Sequence, residues 1–199
     1  MTRYYGAEFA PEAAAMPGVI TLLDPPNAAR VEALWEGMSR EFGVPRGYPG
    51  AIPHMSLHLS SHDVDPGAAR IVERVAREST GFTVHSAGLG VFGGPVPVIH
   101  LMVARSPEAA ALAARLEADL AAGGFPSTDP YFTPARWIPH VTIAHKNLAG
   151  IDLGPLLGWL ARQPLAWDIP VTSLSVARET ETSAEILVTF PFGKAAPQG

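Results

Sequence analysis

Two six-residue stretches carry the residues best suited to chemistry. Ile52-Pro53-His54-Met55-Ser56-Leu57 recurs as Ile138-Pro139-His140-Val141-Thr142-Ile143. Each copy reads Ile-Pro-His, apolar, hydroxyl, apolar, and each follows a Pro-bearing loop. Strand alternation puts His54 and Ser56 on one face and Met55 and Leu57 on the other, and likewise for His140 and Thr142. Two imidazoles and two hydroxyls around one phosphate suit in-line attack on a phosphodiester. One neutral ring takes a proton from the nucleophile and one protonated ring gives a proton to the leaving oxygen. The hydroxyls donate to the non-bridging oxygens, where charge concentrates. Such a site needs no metal.

A competing register exists. His58-Leu59-Ser60 also has the His-apolar-hydroxyl pattern, and only the Ile-Pro-His context favours His54 as the partner of His140. His54 and His58 lie four apart, a spacing that suits zinc on a helix. On a strand the spacing is too wide, and Met-Ser-Leu between them lacks the general-base Glu. No metal and no cofactor are expected. Gly88-Leu89-Gly90 is too short for a nucleotide fingerprint.

The loops leading to the motifs supply candidate substrate contacts. Tyr48, Tyr131, Phe132 and Trp137 are placed to stack on a nucleobase or to pack the loops down. Arg46 and Arg136 are placed to neutralise phosphate or to stay solvated. His58 is expected on the face of His54 and Ser56, and His100 on a neighbouring strand.

Alternating helix and strand signals surround these motifs. Strands are predicted at 18–23, 54–60, 82–87, 96–104, 140–145, 173–177 and 185–190. Helices are predicted at about 26–42, 66–78, 107–122 and 153–162. Val31, Leu34, Trp35 and Met38 form the buried stripe of the first helix. A Gly-Gly-Pro connection at 93–95 makes a hairpin, which argues against an all-parallel sheet. The fold class is therefore α+β. Residues 1–17 are expected to be an extension, 18–192 one domain and 193–199 a flexible tail.

Composition narrows the partners. The 199 residues are 47% hydrophobic and 17% charged, enough for one sizeable core. Cys is absent, so neither a disulfide framework nor a thiolate nucleophile is available. The net charge of −5 disfavours a duplex-DNA binder, which carries a basic surface. No apolar stretch has the length of a membrane span, and the first residues do not read as a signal peptide. A cytoplasmic monomer acting on a small phosphorylated ligand or an RNA end is expected.

On the two motifs, the sequence resembles the 2H phosphoesterase superfamily, whose signature is a pair of H-x-[ST]-apolar elements. It looks most similar to the bacterial branch of 2'-5' RNA ligases and RNA 2',3'-cyclic phosphodiesterases. Ala87 to Val103 looks like that family's hairpin and Ala109 to Leu120 like its following helix; the likeness runs over about residues 18–190. The resemblance implies two pseudo-symmetric lobes, each an antiparallel sheet with outer helices, around a central cleft. It implies that His54 and His140 are the acid–base pair and that Ser56 and Thr142 bind phosphate. The implied activity is opening of 2',3'-cyclic phosphates on RNA ends or nucleotides. A 2',5' RNA ligase using the same site, a phosphoesterase for another cyclic phosphate and a non-catalytic nucleotide or RNA-end binding module are the alternatives. The chain departs from its relatives at His58, at His100, where a large aromatic is common, at His145, where Arg is common, and in a longer loop over 131–139.

Overall fold

The computed structural model describes residues 3–4, 7–8, 16–46, 51–60, 66–179 and 184–195. Tyr48 and residues 196–199 of the expected tail lie outside them.

A short pair, β1 (Arg3–Tyr4) and β2 (Ala7–Glu8), precedes the main body. The body runs β3 (Met16–Leu22), α1 (Pro25–Phe42), β4 (His54–Leu59), α2 (Pro66–Glu78), β5 (Phe82–Phe92) and β6 (Val98–Val103). It continues with α3 (Pro107–Ala122), β7 (His140–Ala144), α4 (Leu153–Leu160), β8 (Asp168–Val171), β9 (Ser173–Glu179) and β10 (Ala184–Pro191). The fold is α+β, with four helices and one eight-stranded sheet among the described residues.

The helices form where the sequence allows. Pro at the first turn starts α1, and Val31, Leu34, Trp35 and Met38 recur on one stripe and are buried. Gly43, at φ 66°, closes the helix with its N–H on the carbonyls of Met38 and Ser39. The Ser106 hydroxyl caps α3 by accepting the Ala109 N–H.

The sheet order is β10-β9-β3-β4-β7-β6-β5-β8, and every named strand pair is antiparallel. Four strands lie on each side of the β4–β7 seam. The core is continuous across it: Met55 and Leu57 of β4 and Val141 and Ile143 of β7 join Leu34, Val72 and Leu116 of the helices in one buried cluster.

Several expected boundaries shift. β5 runs on to Phe92 instead of ending near Ala87, because a register break between Ser86 and Leu89 absorbs Gly88 at φ 102°. β8 escaped the sequence reading because Asp-Ile-Pro-Val is short and holds a proline. It sits at the sheet edge, where a missing N–H is tolerated. The start of the expected flexible tail is tied down: the N–H groups of Gly193 and Lys194 bond the carbonyls of Ala76 and Ser79. Gly193 passes so close to the Arg77 carbonyl that a Cβ would collide with it.

Candidate active site

The two motif strands are neighbours at the middle of the sheet. Met55 of β4 pairs with Val141 of β7. Continuing that antiparallel register sets His54 opposite Thr142 and Ser56 opposite His140. Alternation holds on both strands: Met55, Leu57, Val141 and Ile143 are buried, while His54, Ser56, His140 and Thr142 keep partial exposure. Both imidazoles and both hydroxyls therefore share the face turned away from that core.

The repeated Ile-Pro-His is repeated in its bonding. His54 Nδ1 donates to the Ile52 carbonyl at 2.7 Å, and His140 Nδ1 donates to the Ile138 carbonyl at 2.8 Å. A carbonyl only accepts, so Nδ1 carries the hydrogen and Nε2 is the basic nitrogen of each neutral ring. The intervening prolines match too. The Pro53 carbonyl accepts the Leu23 N–H at 3.1 Å and the Pro139 carbonyl accepts the Val103 N–H at 3.2 Å. Each motif is thus anchored to the strand region outside it by the same residue of its repeat, and each ring is oriented by the carbonyl two residues before it.

The environment of His140 is asymmetric. Burial pushes its pKa down to about 4, against the Ile138 carbonyl, which raises it; the neighbouring rings of His100 and His54 add to the lowering, because a proton on one imidazole disfavours a proton on the next. His140 is therefore neutral at pH 7, the state a proton acceptor needs. His100 is 3% exposed, its ring stacked on Phe92 at 3.9 Å and set edge-wise to His140 at 5.1 Å between centroids.

Burial likewise lowers the pKa of His58, His100 and His145, the last to about 4. Each depressed histidine binds a proton more readily in the unfolded chain. Stability from these groups is present above the ordinary histidine value of about 6.5 and is lost as pH falls from there through the folded values. The melting temperature is expected to fall steadily between about pH 6.5 and 4; a flat profile across that window would contradict the neutral assignment of these rings.

The other expected site residues divide. His58 does not share the face of His54. A register break puts Val19 opposite His58 and Ile20 opposite Ser56, so Leu57 is an extra residue that interrupts alternation. His58 turns to α3 instead and pairs with Glu117 at 2.7 Å. Glu117 also accepts the Ser127 N–H at 3.1 Å, tying the long loop to α3 beside β4.

Trp137 and Phe132, expected as loop-borne stacking faces, are 2% and 7% exposed and belong to the core. The turn that bonds the Trp137 N–H to the Thr133 carbonyl tucks the indole inward, where Nε1 donates to the Ser56 carbonyl at 3.0 Å. Trp137 thus steadies the motif strand and offers no ring to a ligand. Tyr131 is partly exposed, on a 3₁₀ turn over Pro130–Phe132 that the Asp129 carboxylate caps.

Arg46 lies over the Trp35 ring at 4.9 Å and faces Glu32 at 3.6 Å, so it is engaged with α1 and not with the motif face. Arg136 is exposed in the turn before His140. His145 closes β7, one residue past the strand end. Sequence reading missed Phe92 and Met102. Phe92 joins the histidines only through the hairpin register, and exposed Met102 is the registered neighbour of His140. Alternation from His100 to Met102 was the available signal for the second.

Comparison with known proteins bears on the family and the fold. A family model described as the 2'-5' RNA ligase superfamily matches residues 23–182. The fold is similar to that of E. coli LigT complexed with 3'-AMP, at 17% identity and a TM-score of 0.59 over 91% of this chain and 99% of that one. It is also similar to LigT complexed with NADP+, at 15% and 0.58 with the same coverage. A protein solved as a phosphoesterase gives 16% and 0.60, again over 91% and 99%. At these identities the likeness is one of fold. No protein of curated function matches the sequence.

Proposed function

Because the chain belongs to the 2'-5' RNA ligase superfamily, we propose that it is a metal-independent phosphodiesterase opening 2',3'-cyclic phosphates of RNA ends or nucleotides. The observation that carries this reading is the matched pair of Nδ1–H bonds to the Ile52 and Ile138 carbonyls on adjacent central strands. A binding module has no need to fix two imidazoles in the same tautomer on one face.

In the proposed reaction water attacks the phosphorus of the cyclic ester. His140, kept neutral by its burial, takes the water proton on Nε2. The bond to one ribose oxygen breaks, and His54 gives that oxygen a proton. Ser56 and Thr142 donate to the non-bridging oxygens as charge builds there. In this reading the four strands on each side of the β4–β7 seam are pseudo-symmetric lobes, with the substrate between the two motifs. The acting unit is a cytoplasmic monomer.

The test is a product analysis of 2',3'-cyclic nucleotides and short RNAs with cyclic ends, in chelator and without ATP. Ring-opened phosphomonoesters are the expected products. A requirement for added zinc or manganese, or no opening of any cyclic phosphate, would overturn the proposal. Joining of two RNAs through a 2',5' linkage would reverse its direction.

A further inference from the structure

A third imidazole stands on the motif face. His100 lies on β6, where it pairs in register with Thr142 of β7 and Gly90 of β5. Its ring is stacked on Phe92 at 3.9 Å with 22° between planes. It meets His140 at 5.1 Å and 63°. Phe92 meets His140 too, at 4.9 Å and 84°. The three rings close a triangle in which His140 is held by two edge-type contacts.

Gly90 makes the triangle possible. A Cβ at that position would collide with His100 Nε2, so the ring lies on bare backbone. At 3% exposure, His100 is too covered to touch a substrate directly. It can reach the reaction only through His140. An apolar residue would fill the same volume, whereas histidine sets a titratable ring beside the proposed base.

We propose that His100 is a positioning residue for His140, fixing its ring angle together with Phe92 and setting the pH below which it stops accepting protons. The inference rests on the base assignment above. Two imidazoles at this separation repel when both are charged, so a proton on one discourages a proton on the other. Among the groups acting on His140 are His54 from β4, His100 from β6 and the Ile138 carbonyl from its own lead-in, and His100 adds to the depression caused by burial. No other strand of the described sheet adjoins β7.

His100→Phe keeps an aromatic ring against Phe92 and removes the titrating nitrogens; His100→Gln keeps polarity without charge and is smaller. NMR titration of the His140 ring protons in the substrate-free protein reads the coupling directly. In the variants His140 is expected to bind a proton about threefold more tightly or better. The acid limb of kcat/KM on a 2',3'-cyclic nucleotide moves to higher pH with it, while KM changes little. An unchanged His140 titration in a folded variant overturns the proposal, whatever the activity. A shifted titration with an unmoved acid limb upholds the coupling and removes His140 from the base role. Loss of the fold in both variants makes His100 a core residue and ends the proposal.

Discussion

Replacing His54 or His140 by alanine is expected to lower kcat by about 10²–10⁴, the range for losing a positioned general acid or base. The two rings are bonded alike and stand on adjacent strands, and the proposal gives each a proton to move. The double variant should cost less than the product of the single losses, because residues that act as a unit are not additive. Ser56→Ala and Thr142→Ala should cost less than either histidine, near or below the effect of one lost oxyanion donor. His58→Ala is the control. Its ring is paired with Glu117 against α3, so that variant should keep most activity and lose stability instead. Steady-state kinetics on one cyclic nucleotide compares all six. A dead His58→Ala beside a nearly normal His54→Ala would move the site to the other register.

Trp137→Ala is expected to destabilise the protein by about 3–5 kcal/mol, the range for truncating a buried aromatic. The ring is in the core, and its N–H satisfies the Ser56 carbonyl. Trp137→Phe should cost less, since it keeps most of the packing and drops one hydrogen bond worth about 1 kcal/mol. Urea unfolding measures both. If Trp137→Ala unfolded at the wild-type midpoint while KM for a nucleotide rose, the indole would be a ligand contact and its buried placement would be wrong.

The motifs were legible because strand alternation is local. Ile-Pro-His followed by apolar and hydroxyl residues fixes which side chains share a face, and the burial of Met55, Leu57, Val141 and Ile143 follows from the same pattern. Helix α1 was legible for a similar reason, its stripe recurring at the helical period. What depended on register was not. The extra residue Leu57 sends His58 to Glu117, and nothing in His-Leu-Ser announces a bulge. Trp137 sits in a loop by sequence, yet a turn from Thr133 folds it into the core. The Phe92–His100–His140 triangle joins residues from three strands and needs the hairpin register to exist at all. The two lobes implied by the resemblance are, in hydrogen bonding, one continuous sheet meeting at a seam.

A crystal structure of the protein with a nucleoside 2'-monophosphate, a product of the proposed opening, tests the two-histidine site directly. One phosphate is expected within hydrogen-bond reach of Nε2 of both His54 and His140 and of the Ser56 and Thr142 hydroxyls. A phosphate bound to only one histidine, or seated away from the β4–β7 seam, would contradict it.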